Sequence, residues 1–209
     1  MKIKQNIQQI KEQLGLATLI AATKGRTIEE IHEAISAGIT IIGENYVKEA
    51  AEKHHQLAGK VAFHLLGHLQ RNKVPKAAEI FDLIQTVDSL PLAQKINEEC
   101  EKRKKRMPVL IEVNIAGEKN KSGCLPEEVE KLAASISKLT HLELKGLMTM
   151  GPAVETEKLR PYFREMKKTF DRLQKEYNLS ILSMGMSDSY AVAIEEGATM
   201  ARIGKKIFE

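Results

Sequence analysis

Lys24 is the first residue in this chain whose type and position could do chemistry, because only Thr23 separates it from the apolar run at 17–22. A lysine at the end of a core strand is held away from bulk water. Desolvation, with a nearby cation such as Arg202, favours the neutral amine that attacks an aldehyde to give a Schiff base. Two glycine-containing segments offer a second chemistry: Ser183-Met184-Gly185-Met186-Ser187-Asp188 and Arg202-Ile203-Gly204-Lys205. Gly185 and Gly204 let the backbone approach a ligand closely, and Ser187 can serve as helix N-cap and hydroxyl donor. Such segments build phosphate cradles, although tight turns and a capping serine would also account for them. Arg202 adds a third possibility, since an arginine can hydrogen-bond a pyridine nitrogen while opposing its protonation, or simply pair with a carboxylate.

Other chemistries lack their residues. His64 and His68 share a strand-to-loop segment without the carboxylate of an HExxH motif, so zinc has no support, and no metal is expected. No GxSxG elbow and no GxGxxG turn occur. Cys100 and Cys124 form no CxxC pair and read as reduced thiols. The net charge of +4 is a mild basic balance, and with 4% aromatics and no Trp there is little material for nucleic-acid binding. Lys102-Arg103-Lys104-Lys105-Arg106 follows Glu98, Glu99 and Glu101 and reads as the cationic C-terminal end of a helix. No apolar run approaches the roughly 20 residues of a membrane span, and the N-terminus has no apolar leader, so a cytoplasmic protein without membrane contact is expected.

The elements that must position these residues are legible from periodicity. Short apolar runs at 17–22, 39–43, 61–66, 81–86, 109–115, 142–148, 180–184 and 199–203 read as buried parallel strands. An N-terminal helix ends near Leu14-Gly15. Between the strands, stretches such as Val129, Leu132, Ala133 and Ile136, or Leu159, Tyr162, Phe163, Met166, Phe170 and Leu173, carry the one-sided stripe of amphipathic helices. Thr27, Asp88-Ser89 and Pro126 mark helix starts. Eight strand–helix pairs without a linker or composition break predict one domain over 1–209, an α/β fold of the closed (β/α)8 TIM barrel type. In such a barrel the site forms at the C-terminal strand ends, and the loops after the seventh and eighth strands commonly hold a phosphate. Lys24 with that cradle points to pyridoxal 5′-phosphate (PLP) or to a Schiff-base aldolase.

Several segments together resemble the pyridoxal phosphate homeostasis proteins, single-domain relatives of the alanine racemase N-terminal barrel. They are Ala22-Thr23-Lys24, Gly43-Glu44-Asn45-Tyr46-Val47-Lys48-Glu49, His64-Leu65-Leu66-Gly67-His68-Leu69-Gln70-Arg71-Asn72-Lys73, Lys121-Ser122-Gly123-Cys124 and Gly146-Leu147-Met148-Thr149-Met150. The most specific is 183–188, continuing through 194–200 to Arg202-Ile203-Gly204. The resemblance implies PLP as a covalent Schiff base on Lys24, with Asn45 beside the ring. It implies a phosphate held by Ser187 and the backbone around Gly204, and Arg202 facing the pyridine nitrogen. Lys121 matches a second lysine that can engage the cofactor. Lys205 stands where the family often has a small or hydroxylic residue, which removes a donor and adds a cation. The resemblance also implies a carrier or regulator in vitamin B6 homeostasis with no catalytic residues, delivering PLP to apo-enzymes. The alternative is a PLP-dependent amino-acid racemase-like enzyme, which the related barrels perform with a second domain and a dimer partner. A lone barrel reads as a monomer.

Overall fold

The computed structural model describes residues 2–209. Along the chain run α1 (Lys2–Leu14), β1 (Thr18–Ala22), α2 (Ile28–Ser36), β2 (Ile41–Glu44), α3 (Val47–Leu57), β3 (Ala62–Leu65), α4 (Val74–Ile80), β4 (Leu83–Val87) and α5 (Leu90–Lys102). They are followed by β5 (Met107–Glu112), α6 (Val129–Ile136), β6 (Leu142–Met148), α7 (Arg160–Tyr177), β7 (Ile181–Ser183), α8 (Tyr190–Glu195), β8 (Met200–Ile203) and α9 (Lys205–Phe208). All strand pairs are parallel and follow sequence order, and β8 closes the barrel by pairing with β1, Ile20 opposite Arg202. The expected (β/α)8 architecture is therefore the observed one.

The strands are apolar on both faces because each face meets protein. One face joins a continuous core with the helices, in which Ile31, Ala50, Ala77, Ile96, Val129, Phe163, Met166 and Ile207 are buried. The other builds two small clusters that contain no helix residue, Ile20 with Leu66 and Met200, and Leu83 with Leu110 and Met148, which fill the barrel interior. On α7, Phe163, Met166, Phe170 and Leu173 are buried as their spacing requires, while Tyr162 is only half-buried and Thr169 takes a buried place. The basic run is spent on local structure. Lys102 and Arg103 bond Glu99, Lys105 donates to the Phe81 carbonyl (2.7 Å) and Arg106 to that of Leu142 (3.3 Å).

Strand ends differ from the sequence reading where side chains or caps intervene. β5 stops at Glu112 rather than 115, because Asn114 folds the following loop, accepting from the Glu118 N–H (3.0 Å) and donating to the Glu118 carbonyl (2.8 Å). β2 starts at Ile41 rather than 39, because the Ile39 N–H donates to the Ala34 carbonyl and closes α2. At the start of α2, Thr27 is the helix start expected there, and the structure adds a reciprocal capping pair with Glu30. Ser89 precedes α5 but does not cap it, its hydroxyl donating instead to Asp88 (2.9 Å).

Gly146 lies within β6, where a Cβ would stand 1.7 Å from the Ile181 carbonyl oxygen of the neighbouring strand. Backbone cannot yield there as a flexible side chain could. Gly146→Ala is expected to cost at least about 1–3 kcal/mol through separation of β6 from β7, read as a lower urea midpoint.

Candidate functional site

The site is built at the C-terminal ends of the strands, and it starts from a charge inside the barrel. Arg202 of β8 is 3% exposed. Its Nη1 donates to Ser183 Oγ (2.6 Å), and its Nη2 donates to the Thr149 carbonyl (2.8 Å) and lies against Met150 Sδ (3.7 Å). Ser183 passes its proton towards Gln85 Oε1 (2.7 Å), and Gln85 Nε2 donates to His64 Nδ1 (3.2 Å), which assigns the proton of that imidazole to Nε2. Burial lowers the Arg202 guanidinium to about 10, against the pull of Glu112, and lowers His64 to about 4, so His64 is a neutral acceptor. The network leaves one buried donor over: Arg202 Nε has no hydrogen-bond partner.

Lys24 stands on the adjacent strand end, in the turn after β1. Here the structure corrects the sequence reading. β1 ends at Ala22, so Lys24 lies beyond the strand and is exposed, and the desolvation expected of it is absent. What holds it is its turn. Buried Glu44 at the end of β2 accepts from Thr23 Oγ1 (2.5 Å) and from Lys53 Nζ (2.7 Å). Lys53, itself buried on α3, also donates to the Thr23 carbonyl (2.6 Å) and to Glu49 (2.7 Å), and Glu49 accepts the Gly25 N–H (2.6 Å). Burial disfavours ionisation of Glu49, but Lys53, the Gly25 N–H and the charge of Lys24 outweigh it and hold its carboxyl below the ordinary range. Burial raises the Glu44 carboxyl against the hydrogen bonds of Lys53 and Thr23.

The loops after β7 and β8 meet as expected, with different local roles. Ser187 is buried and does not cap α8, whose N-cap is Ser189; its Oγ accepts the Lys206 N–H (3.3 Å) and so ties the two loops. Gly185 has φ +90°, and a Cβ there would stand 2.6 Å from that of Ala193. Its freedom therefore serves the packing of α8. Gly204 packs on β1, a Cβ there falling 3.0 Å from the Ala22 carbonyl. Lys24, Ser187, Arg202 and Gly204 thus converge on β1, β7 and β8. Asn45, half-buried at the neighbouring end of β2, lines two cavities whose walls include none of those four residues. Lys205 is exposed.

A family model described as "Alanine racemase, N-terminal domain" matches residues 1–208. The chain is 40% identical to the pyridoxal phosphate homeostasis protein of Pasteurella multocida over 99% of its own length and 94% of that protein's. It is 39% identical to the protein of the same name from Aquifex aeolicus, with the same coverage. The chain belongs to the pyridoxal phosphate homeostasis proteins, within the alanine racemase N-terminal domain family. The solved structure of PipY from Synechococcus elongatus with PLP bound superposes with a TM-score of 0.91 at 30% identity, covering 99% of this chain and all of that one. Alanine racemase of Clostridium difficile shares the fold alone, at 18% identity and a TM-score of 0.80, with 56% of that chain covered.

The structure gives parts in the site to residues for which sequence reasoning assigned no role of their own. Glu44 and Glu112 each end a strand that is otherwise apolar but for Gly43 and Pro108, and a lone carboxylate in that place is the signal that could have found them. Lys53, Gln85 and Ser183 carry no such mark. Lys121 is committed, with Nζ donating to the Gly151 carbonyl (2.9 Å) and paired with Glu118 (2.6 Å). His68 is exposed and faces Asp88 (3.5 Å), and no metal-holding cluster exists among the described residues.

Burial raises the Glu112 carboxyl from 4.5 to about 7, Asp88 acts in the same direction and Arg202 opposes both. A carboxyl raised on folding holds more protons folded than unfolded between those values. Stability therefore falls as pH climbs through that window, by about 3 kcal/mol for the whole shift. Glu112→Gln should remove this slope: the stability of the variant relative to wild type should grow between about pH 5 and pH 8, and a constant difference in urea unfolding would contradict the assignment.

Proposed function

We propose that residues 1–209 act as a single domain that carries PLP on Lys24 and serves intracellular PLP homeostasis without catalytic turnover. The observation that carries the reading is the unpartnered, buried Nε of Arg202, a donor held at the strand ends where Lys24, Ser187 and Gly204 converge. An acceptor nitrogen in a planar ring satisfies it, and a guanidinium opposes protonation of that nitrogen, which weakens the ring as an electron sink. When bound, PLP supplies an aldehyde carbon for a lysine amine and a phosphate that anchors it.

The residues present fit those needs. Lys24 offers its amine from a turn clamped by Glu44, Lys53 and Glu49, and its exposure suits hand-over of the cofactor more than a sealed reaction. Ser187 accepts the Lys206 N–H, which leaves its hydroxyl proton to donate to a phosphate beside the Gly204 backbone. Asn45 flanks the ring, and Lys205 adds positive charge near the phosphate. The name shared by the curated relatives and the PLP bound to PipY support the same reading. The partners are apo-enzymes that need PLP, met in the cytoplasm by a monomer; no described helix is long and apolar enough to cross a membrane. A racemase-like enzyme is the second reading. It is favoured by Glu112, whose carboxyl near 7 could exchange a proton beside the site.

Borohydride reduction after PLP addition should fix the cofactor on Lys24 by peptide mass mapping, and Lys24→Ala should lose the visible chromophore while keeping its circular dichroism. A protein that stays colourless and unlabelled would sink the reading. Ser187→Ala should weaken PLP binding roughly tenfold to a hundredfold through loss of one hydrogen bond to a charged group, measured by fluorescence titration. Exchange of an amino acid's α-proton in D2O by the loaded protein would favour the enzyme.

A further inference from the structure

Glu112 has no part in holding PLP, yet it is a buried carboxyl at the end of β5. It is 6% exposed, its Oε2 has no hydrogen-bond partner, and it lines a cavity of about 320 Å3 beside Asn45. A buried carboxylate without a partner is unfavourable, and the free energy is recovered by whatever brings it a cation with N–H donors. The cations nearby are engaged elsewhere. Lys121, on the same cavity wall, is spent on Gly151 and Glu118, and Arg202 gives its Nη atoms to Ser183 and Thr149. His68 is exposed and turned to Asp88, which itself adds negative charge near Glu112. The remaining wall mixes apolar Val113, Ile115 and Met150 with the hydroxyl of Ser122, and the volume lies at the small end of the range of small-molecule sites.

We propose that this cavity binds a primary ammonium group, with the Glu112 carboxylate as its partner. Ammonium binding stands on the cavity alone; that the ligand is the amine-bearing partner of a cofactor held by Lys24 rests on the reading given under Proposed function. Two sources share this chemistry, a free amino acid and the lysine side chain of another protein.

The PLP-free protein, 13C-labelled at glutamate carboxyls, is titrated at about pH 8 with n-butylammonium chloride as the side-chain surrogate and with glycine as the free amino acid. Tetramethylammonium, which has no N–H, and acetate are the controls. The Glu112 carboxyl resonance, identified by its loss in Glu112→Gln, is expected to shift saturably with one or both amines and with neither control. Glu112→Gln should weaken binding roughly tenfold to a hundredfold, the loss of a hydrogen bond between charged groups. Glu112→Asp, which keeps the charge, replaces it if the amide variant does not fold. Binding should also weaken towards about pH 6 as Glu112 is protonated in the field of Asp88, Arg202, His68, Lys121 and Glu118. A response to butylammonium alone assigns the side-chain source, to glycine alone the free amino acid, and to both supports recognition of the ammonium group itself. No shift with either amine, an equal shift with tetramethylammonium, or affinity unchanged in Glu112→Gln overturns the proposal. Because no PLP is present, a failed cofactor reading leaves this outcome intact.

Discussion

The burial of the Arg202 guanidinium is the constraint on which the rest of this barrel depends. A charge taken out of water must be met by hydrogen bonds, and it is met from four other strands or strand ends in turn. Ser183, the Thr149 carbonyl, Gln85 and His64 form one connected chain across the interior, from β8 through β7 and β6 to β4 and β3. Each bond in the chain meets a group that burial would otherwise leave unpaired, Arg202 Nε excepted. It explains why Ser183 and Gln85 are polar inside an apolar barrel; burial keeps His64 neutral, and Arg202 Nε is left without a partner.

A second clamp acts on the opposite principle. The Lys24 turn is held by Glu44, which accepts from the Thr23 hydroxyl, and by Lys53 and Glu49, which bond the backbone at Thr23 and Gly25; the Lys24 side chain is left exposed. The backbone of the turn is fixed by buried groups, while the Lys24 side chain is open to solvent. An amine on such a turn is positioned without being enclosed.

Between the two clamps the mouth is electrostatically unbalanced. Arg202 and Glu112 feel each other, yet no hydrogen bond joins them, and each keeps an unpartnered buried atom. The barrel thus leaves one buried donor and one buried acceptor unpaired.

The sequence by itself determined the barrel, its eight strands within a few residues, the helix start at Thr27 and the shared end of the barrel at which Lys24, Ser187, Arg202 and Gly204 stand. These follow from local periodicity, because alternating buried strands and one-sided helices closed in sequence order fix which loops share an end. Tertiary structure alone decided that Lys24 is exposed, that Ser187 ties two loops rather than capping a helix, and that Gly185 serves helix packing. It alone also made Lys53, Gln85 and Ser183 parts of buried networks and left Glu112 without a partner. The physical reason is that burial and hydrogen-bond satisfaction are properties of residues far apart in the chain, and no spacing along one segment encodes them.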